Sequence, residues 1–359
     1  MLRSLKTSLI LSAGLMFAAT LAVAQSVEEG IEAAKNGDFS EAQSIWRDAA
    51  SDGDIVAMRQ LGGLHLSGVL GVADLEKARE WFLKSAEGGD AGSNLSLGYI
   101  YERGMGVPAD TALAETYFAR AAEGGSIDGL FKRATLVLAR NADQAEVQKA
   151  VEDIRTAADQ GQPEALATIG DFLRSGTFTA MDPVKAIEYY KQAAQNGHTQ
   201  SLNTIGDMYL FAEKGAADIP SALVWYERAA AKGQTDAAYS VAYLLYNLPG
   251  ASDADLRKAF DYASMAALAW NEQAQWLLGQ MYLEDIVVPR NDYEAYRWLD
   301  LAASAGVIEA HHLRAMAEVA LGPEQAAKAH EEAQLWFNQN HGQPHVHRLI
   351  NNNVHTFGN

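Results

Sequence analysis

The chain has 359 residues, a formal net charge of -18 from 46 acids against 28 bases, and no cysteine. A negative field of that size opposes general binding to nucleic-acid phosphates or anionic lipid. The missing thiols exclude disulfide staples, thiolate metal sites and thiol catalysis.

At the N-terminus, Arg3 and Lys6 stand before an apolar stretch from Leu9 to Val23, which closes on Ala22-Val23-Ala24 before Gln25. This is the layout of a secretory signal peptide with a small-x-small cleavage site. The stretch is also shorter than the roughly 20 residues a spanning helix needs. The expectation is a leader over 1–24, cleaved near Ala24-Gln25, and a mature chain that is periplasmic or secreted. The alternative is an uncleaved anchor. Residues 1–24 carry two bases and no acid, so cleavage leaves a charge of -20. No Cys adjoins the site for lipid attachment. No later stretch is long and apolar enough to span a membrane, so no insertion is expected after cleavage.

Beyond the leader one phrase recurs, A-x-x-W/Y-F/Y-x-x-A-A-x-x-G. It reads Ala78-Arg79-Glu80-Trp81-Phe82 before Gly89, and Ala114-Glu115-Thr116-Tyr117-Phe118 before Gly125. It returns at Tyr189-Tyr190 and at Trp225-Tyr226. The leading alanines fall at 42, 78, 114, 150, 186, 222, 259 and 295, at intervals of 36 with a single 37. Turn glycines fall at 53, 89, 125, 161, 197 and 233; Trp270 takes the next place and Gly306 the one after. A fixed period held over eight units predicts a solenoid of stacked supersecondary units, none of which can bury its apolar face alone.

Each repeat reads as helix–turn–helix. The first helix carries A-x-x-x-L-G-x-x-Y, as from Ser93 to Tyr101, and the second carries the alanines and aromatics. Gly98 could belong to a phosphate loop, but its equivalents at 62, 170, 206 and 279 place it where two helices approach closely. A helical glycine costs about 1 kcal/mol relative to alanine, so it needs such a reason. The segment Gly104-Met105-Gly106-Val107-Pro108 is the turn between the helices. The acids at 74, 110, 182, 218 and 292 precede the second helix, where they can accept backbone N–H bonds. The glycine after each Ala-Ala pair suits a left-handed helix end. Truncating a buried Trp81 or Trp225 is expected to cost about 3–5 kcal/mol.

The phrase Leu97-Gly98-x-x-Tyr101-x-x-Gly104-x-Gly106-Val107-x-x-Asp110, followed by Ala114-x-x-Tyr117-Phe118-x-x-Ala121-Ala122-x-x-Gly125, resembles the Sel1-like repeat family, relatives of tetratricopeptide repeats. The resemblance covers roughly residues 38–322. It implies an all-α fold, a right-handed α/α superhelical solenoid of about eight 36-residue repeats with the first helix of each lining the concave side. It also implies an adaptor or scaffold, often in bacterial signalling, envelope regulation or host contact, and no enzyme. One branch of the family staples each repeat with a disulfide; this chain has no cysteine and departs from it. The expected organisation is a leader (1–24), the solenoid (25–322), a capping helix (323–338) and a flexible His/Asn-rich tail (339–359).

Two repeats depart from the pattern. Arg133 and Val137 take the leucine and tyrosine places, and Arg140-Asn141-Ala142-Asp143 replaces the glycine turn. That is a drifted repeat, or a hinge or partner site. Arg314 and Glu318 take the same places near the end, as a polar cap would require. The helix from Pro323 to Phe337 should close the array, with Leu335, Trp336 and Phe337 packing back.

By analogy with the related repeats, the exposed positions of the first helix lie two before the leucine place, two after it and five after it. They select Tyr239, Tyr243 and Tyr246 around Val241, Trp276 and Gln280 around Leu278, and Asn203 and Asp207, with Leu210, in the repeat before. The tyrosine spacings of four and three give one helical face. Aromatics beside polar groups suit a peptide-binding groove, since Tyr and Trp dominate interface hot spots. The same residues could serve as core between repeats.

Catalytic patterns are missing from the expected mature chain: there is no G-x-S-x-G, S-x-x-K or H-E-x-x-H, and His330-Glu331-Glu332-Ala333-Gln334 lacks a second histidine. His65 fills a tyrosine place, and the adjacent His311 and His312 point to different faces. No cofactor, metal site or catalytic residue is expected. His341, His345, His347 and His355 suit either a metal-responsive tail or a plain polar one, and the plain reading is the simpler. The sequence therefore points to a non-enzymatic scaffold or regulator that holds a protein or peptide partner in its groove. The alternatives are an envelope or cell-wall-associated enzyme, for which no residue can be named, and a secreted effector that binds a host protein.

Overall fold

The computed structural model describes residues 27–340 except 212, 214 and 215. The expected leader, the four tail histidines and all but the first two residues of the tail lie outside the described residues. Among the described residues there are eighteen helices and no strand. In order they are α1 (27–35), α2 (Phe39–Ser51), α3 (Ile55–Ser67), α4 (Leu75–Glu87), α5 (Ala91–Arg103), α6 (Thr111–Glu123), α7 (Ile127–Ala139), α8 (Gln144–Asp159) and α9 (Pro163–Ser175). Then come α10 (Pro183–Gln195), α11 (Gln200–Leu210), α12 (Ile219–Ala230), α13 (Thr235–Tyr246), α14 (Asp253–Leu268), α15 (Glu272–Glu284), α16 (Asp292–Ser304), α17 (Ile308–Leu321) and α18 (Pro323–Asn340). Odd helices are the first members of hairpins and even helices the second, so the fold is an all-α solenoid of helix–turn–helix repeats. The chain divides into two compact bodies, one ending at Ile169 and the other beginning at Gly170.

The turns follow from the sequence. Asp74, Asp110, Asp182 and Asp218 cap α4, α6, α10 and α12, each side chain accepting from the backbone N–H three residues on. This fills one of the four orphan donors of each helix start. The expectation at 292 is off by one. Asn291 is the cap, accepting from the Glu294 N–H. Asp292 is the first helical residue, where its charge still meets the positive end of the helix. A backbone bond closes each of these loops, as from Asp110 N–H to the Tyr101 carbonyl at 2.8 Å and from Asp182 N–H to Leu173 at 2.8 Å. Gly104 and Gly106 take φ of +68° and +71°, so the glycine loop is a helix end and turn, with no call for a phosphate. Turn glycines from Gly53 to Gly306 take φ between +80° and +109°. Trp270, in their place, takes +71°.

The close approach is real in every repeat that carries the helical glycine. A Cβ added at Gly62, Gly98, Gly170, Gly206 or Gly279 would stand 2.4–2.7 Å from the side chain twenty residues on, respectively Phe82, Phe118, Tyr190, Tyr226 and Leu299. The backbone of the first helix thus rests directly on that side chain. The expected burial of Trp81 and Trp225 is corrected here. Phe82 and Tyr226, the second of each aromatic pair, are the buried members, while Trp81 and Trp225 are half-buried. Ala78, Phe82 and Ser85 stand at i, i+4 and i+7 and share one face. The residue before Phe82 is turned about 100° away.

The divergent repeat is α7 and α8. Arg133 forms an ion pair with Asp153 of α8. Arg140 takes over from the glycine turn by binding Glu115 of α6 at 3.1 Å and Glu146 of α8 at 2.6 Å. Asp143 and Glu146 complete a capping box. At the far end Arg314 is tied inward, donating at 2.9 Å to the fully buried Asp300 of α16, and His330 Nδ1 of α18 lies 2.7 Å from the other Asp300 oxygen. Trp336 and Phe337 pack on Trp270 at 4.8 and 5.4 Å between ring centroids. Leu335 does not pack back as expected; it is exposed.

Candidate functional site

Helix α13 sets Tyr239, Tyr243 and Tyr246 on one face because they recur at four and three residues. The rings of Tyr239 and Tyr243 are 5.8 Å apart and tilted by 43°. Tyr243 keeps 43% of its surface exposed, while Tyr239 and Tyr246 are half-buried. Burial pushes the hydroxyl of Tyr239 up, and then the neighbouring Tyr243 and the charge of Glu309. Glu309 belongs to α17, two repeats on.

Helix α15 supplies the neighbouring row. Gln280 Nε2 donates to the Tyr246 hydroxyl at 3.0 Å and to Glu284 Oε1 at 2.8 Å. The Tyr246 hydroxyl in turn donates to Glu284. Burial first, and then the Glu284 carboxylate, raise the Tyr246 hydroxyl well above the ordinary tyrosine range. Trp276 is half-buried among the apolar residues of both neighbouring clusters. Its indole Nε1 is buried and meets no acceptor among the described residues.

Asn203 and Asp207 on α11 serve a different purpose. The Tyr226 hydroxyl of α12 donates to Asp207 Oδ1 at 2.6 Å, and Asn203 Nδ2 donates to Asp207 Oδ2 at 3.3 Å. Burial raises the Asp207 carboxyl, against the lowering effects of the Tyr226 bond and of Arg174. Asp171 and Tyr190 repeat this pairing at 2.7 Å one repeat earlier. Of the sequence-derived candidates, Tyr239, Tyr243, Tyr246, Trp276 and Gln280 lie on adjacent rows of α13 and α15. Asp207 ties the two helices of its own hairpin together, and Asn203 bonds to it within α11. Glu284 and Glu309 were missed; Glu284 follows Gln280 by four, which already put it on the same face.

A separate apolar cavity of about 370 Å³ lies under α18, lined by Trp270, Gln275, Leu301 and Phe337 among others. Among the described residues no group of three His, Asp or Glu could hold a metal ion, and no helix is long and apolar enough to cross a membrane.

Hairpins of this length, with a glycine seated on an aromatic twenty residues on, define an α-solenoid of the tetratricopeptide-like class. Sel1 repeats match at residues 55–90, 92–126, 163–198, 201–234, 235–269 and 272–307, and the chain belongs to the Sel1 repeat family. The matches omit the α7–α8 repeat, where Arg133 and Arg140 replace the usual anchors. Among solved structures, one similar chain is a protective antigen present in uropathogenic Escherichia coli strains and displaying an SLR fold. It is 25% identical, with a TM-score of 0.66 over 93% of this chain and 73% of that one. A Sel1 repeat protein from Oxalobacter formigenes is 27% identical, with a TM-score of 0.59 over 68% of this chain and 99% of that one. No curated protein matches the chain in sequence.

Proposed function

We propose that this chain is an exported scaffold or regulator, cleaved near Ala24-Gln25, that holds a segment of a protein partner against the wall formed by α13 and α15. The observation that carries this reading is the tyrosine ladder. Tyr243 is an exposed ring beside Tyr239, and the hydroxyl of Tyr246 is already held by Gln280 and Glu284. Flat, pre-ordered aromatic faces with a polar rim suit an interface hot spot, because little side-chain entropy is lost when they are covered. Sel1 repeats generally serve as protein-interaction scaffolds, which supports a binding role without chemistry.

The test is affinity capture from envelope extracts with residues 25–359, beside a Tyr243→Ala version of equal melting temperature. A partner held by the first and lost by the second supports the wall. A partner held equally by both removes the ladder from the binding site and turns attention to the α7–α8 repeat. Fractionation of cells carrying the full chain tests export: recovery of the whole chain with the cytoplasm would end that part of the proposal. The likeness to an antigen of uropathogenic Escherichia coli favours a second reading, a secreted effector that contacts a host protein. Appearance of the chain in culture medium would favour it.

A further inference from the structure

The cavity under α18 is separate from the tyrosine wall, and it lies where the repeat pattern fails at two positions. The turn place that glycine fills at 53, 89, 125, 161, 197, 233 and 306 is Trp270 here. Three residues before the leucine place, where five of the other repeats carry Met58, Leu130, Leu166, Leu202 and Ala238, the chain has Gln275. Both departures line the cavity. The turn itself does not call for a tryptophan. The Trp270 N–H donates to the Ala267 carbonyl at 3.2 Å, as the Gly233 N–H does to Ala230 at 2.8 Å, so the same turn is made with a bulky residue held at a φ of +71°. Bulky residues rarely adopt that region, and such outliers gather at binding sites.

The two residues meet at one atom. Gln275 Nε2 of α15 donates to the same Ala267 carbonyl at 3.3 Å, and Gln275 is only 3% exposed. That bond fixes which end of the amide is nitrogen. Among the described residues it is the one hydrogen bond of the Gln275 side chain, which leaves the amide oxygen and the second N–H for an occupant of the cavity. A buried amide oxygen with no donor is costly, so its place beside apolar walls points to a ligand. Those walls are Leu301 and the rings of Trp270 and Phe337, which stand at 90° with centroids 5.4 Å apart. Trp336 backs the Trp270 ring at 4.8 Å. At about 370 Å³ the cavity falls within the roughly 300–1,000 Å³ of ligand sites. It is far larger than the voids of a packed interior. Among the described residues that line it there is no Lys, Arg or His, and Glu272 is one of them, so an anion would find no partner there.

We propose that this cavity binds a small, flat aromatic molecule that carries a ring N–H and no negative charge. Its ring system lies among Trp270, Leu301 and Phe337, where stacked and edge-on contacts both favour it. Its N–H donates to Gln275 Oε1. A positive charge on a short substituent is favoured by Glu272. The site needs no protein partner and stands apart from the wall of α13 and α15.

Three probes test this by isothermal titration calorimetry with residues 25–359: tryptamine, its benzothiophene isostere, which lacks the ring N–H, and the anion indole-3-propionate. Tryptamine should bind most tightly, the isostere about tenfold more weakly, and the anion most weakly of all. Gln275→Leu installs the residue that already fills this place in α7, α9 and α11, so its melting temperature should hold or rise. It should weaken tryptamine about tenfold and leave the isostere unchanged. Trp270→Gly restores the turn residue of the other repeats and should weaken both. Where that variant loosens α18, Gln275→Leu decides. Equal affinity of the parent for tryptamine and its isostere overturns the inference. So does an unchanged tryptamine affinity in Gln275→Leu, tighter binding of the anion, or no binding of any of the three.

Discussion

Gly62 and Phe82 are in contact so close that a Cβ added to the glycine would lie 2.7 Å from the ring, whereas one on the adjacent Gly63 would meet nothing within 4 Å. Two neighbouring glycines of α3 therefore predict opposite outcomes. Gly62→Ala overpacks the hairpin at a cost of about 1–3 kcal/mol, only partly offset by helix propensity. Gly63→Ala has no ring to displace and should gain up to about 1 kcal/mol. Thermal unfolding of the two variants checks the pair, and a more stable Gly62→Ala would refute this account of the glycine column.

The aromatic pairs carry a second asymmetry. Phe82 is 2% exposed, and Phe82→Ala should cost about 3–5 kcal/mol. Trp81→Ala should cost clearly less, although tryptophan is larger, because Trp81 is half-buried with Lys84 Nζ 4.5 Å from its ring centroid. Tyr226 and Trp225 should repeat the order, with Arg228 4.5 Å over the Trp225 ring. Equal losses within a pair would contradict the assignment of the buried face.

The repeat was legible because its anchors are single residues in fixed register: a glycine seated on a ring, an aspartate at a helix start, a glycine at positive φ. The buried member of the Trp81–Phe82 and Trp225–Tyr226 pairs was not: the expectation buried the tryptophans, although Phe82 and Tyr226 stand at i+4 from the leading alanine. What the sequence concealed lies in pairs of side chains. Asp207 looks like a groove residue until Tyr226 is placed nineteen positions on. The matching separation of Asp171 from Tyr190 was the available sign. Trp270 stands where the period calls for glycine, and its positive φ is tolerated in a setting where its ring packs on Trp336 and Phe337. No local pattern announces that contact, since the two aromatics come from α18.

The last hairpin depends on Asp300. It is fully buried and holds Arg314 of α17 on one oxygen and His330 of α18 on the other. Asp300→Ala leaves the guanidinium without its partner and should cost about 3–5 kcal/mol. Limited proteolysis should then cut within α18 first. Asp300→Asn, which keeps an acceptor, should fall between. If α18 stays protected in Asp300→Ala, the triad does not hold the cap.

Asp207 gives a prediction with a sign in pH. Burial raises its folded-state carboxyl above the ordinary value despite the Tyr226 bond. The folded protein therefore binds this proton more tightly than the unfolded chain, and its contribution to stability falls as pH rises through the raised value. At neutral pH the site carries a desolvated charge. Asp207→Asn removes that charge and keeps the oxygen that accepts from the Tyr226 hydroxyl. It should melt higher than the parent at pH 7, and the gain should vanish near about pH 3, where the carboxyl is protonated in both states. A variant that melts lower at pH 7 would mean that the charge strengthens the Tyr226 bond by more than burial costs it. Asp207 would then be held ionised by its hairpin.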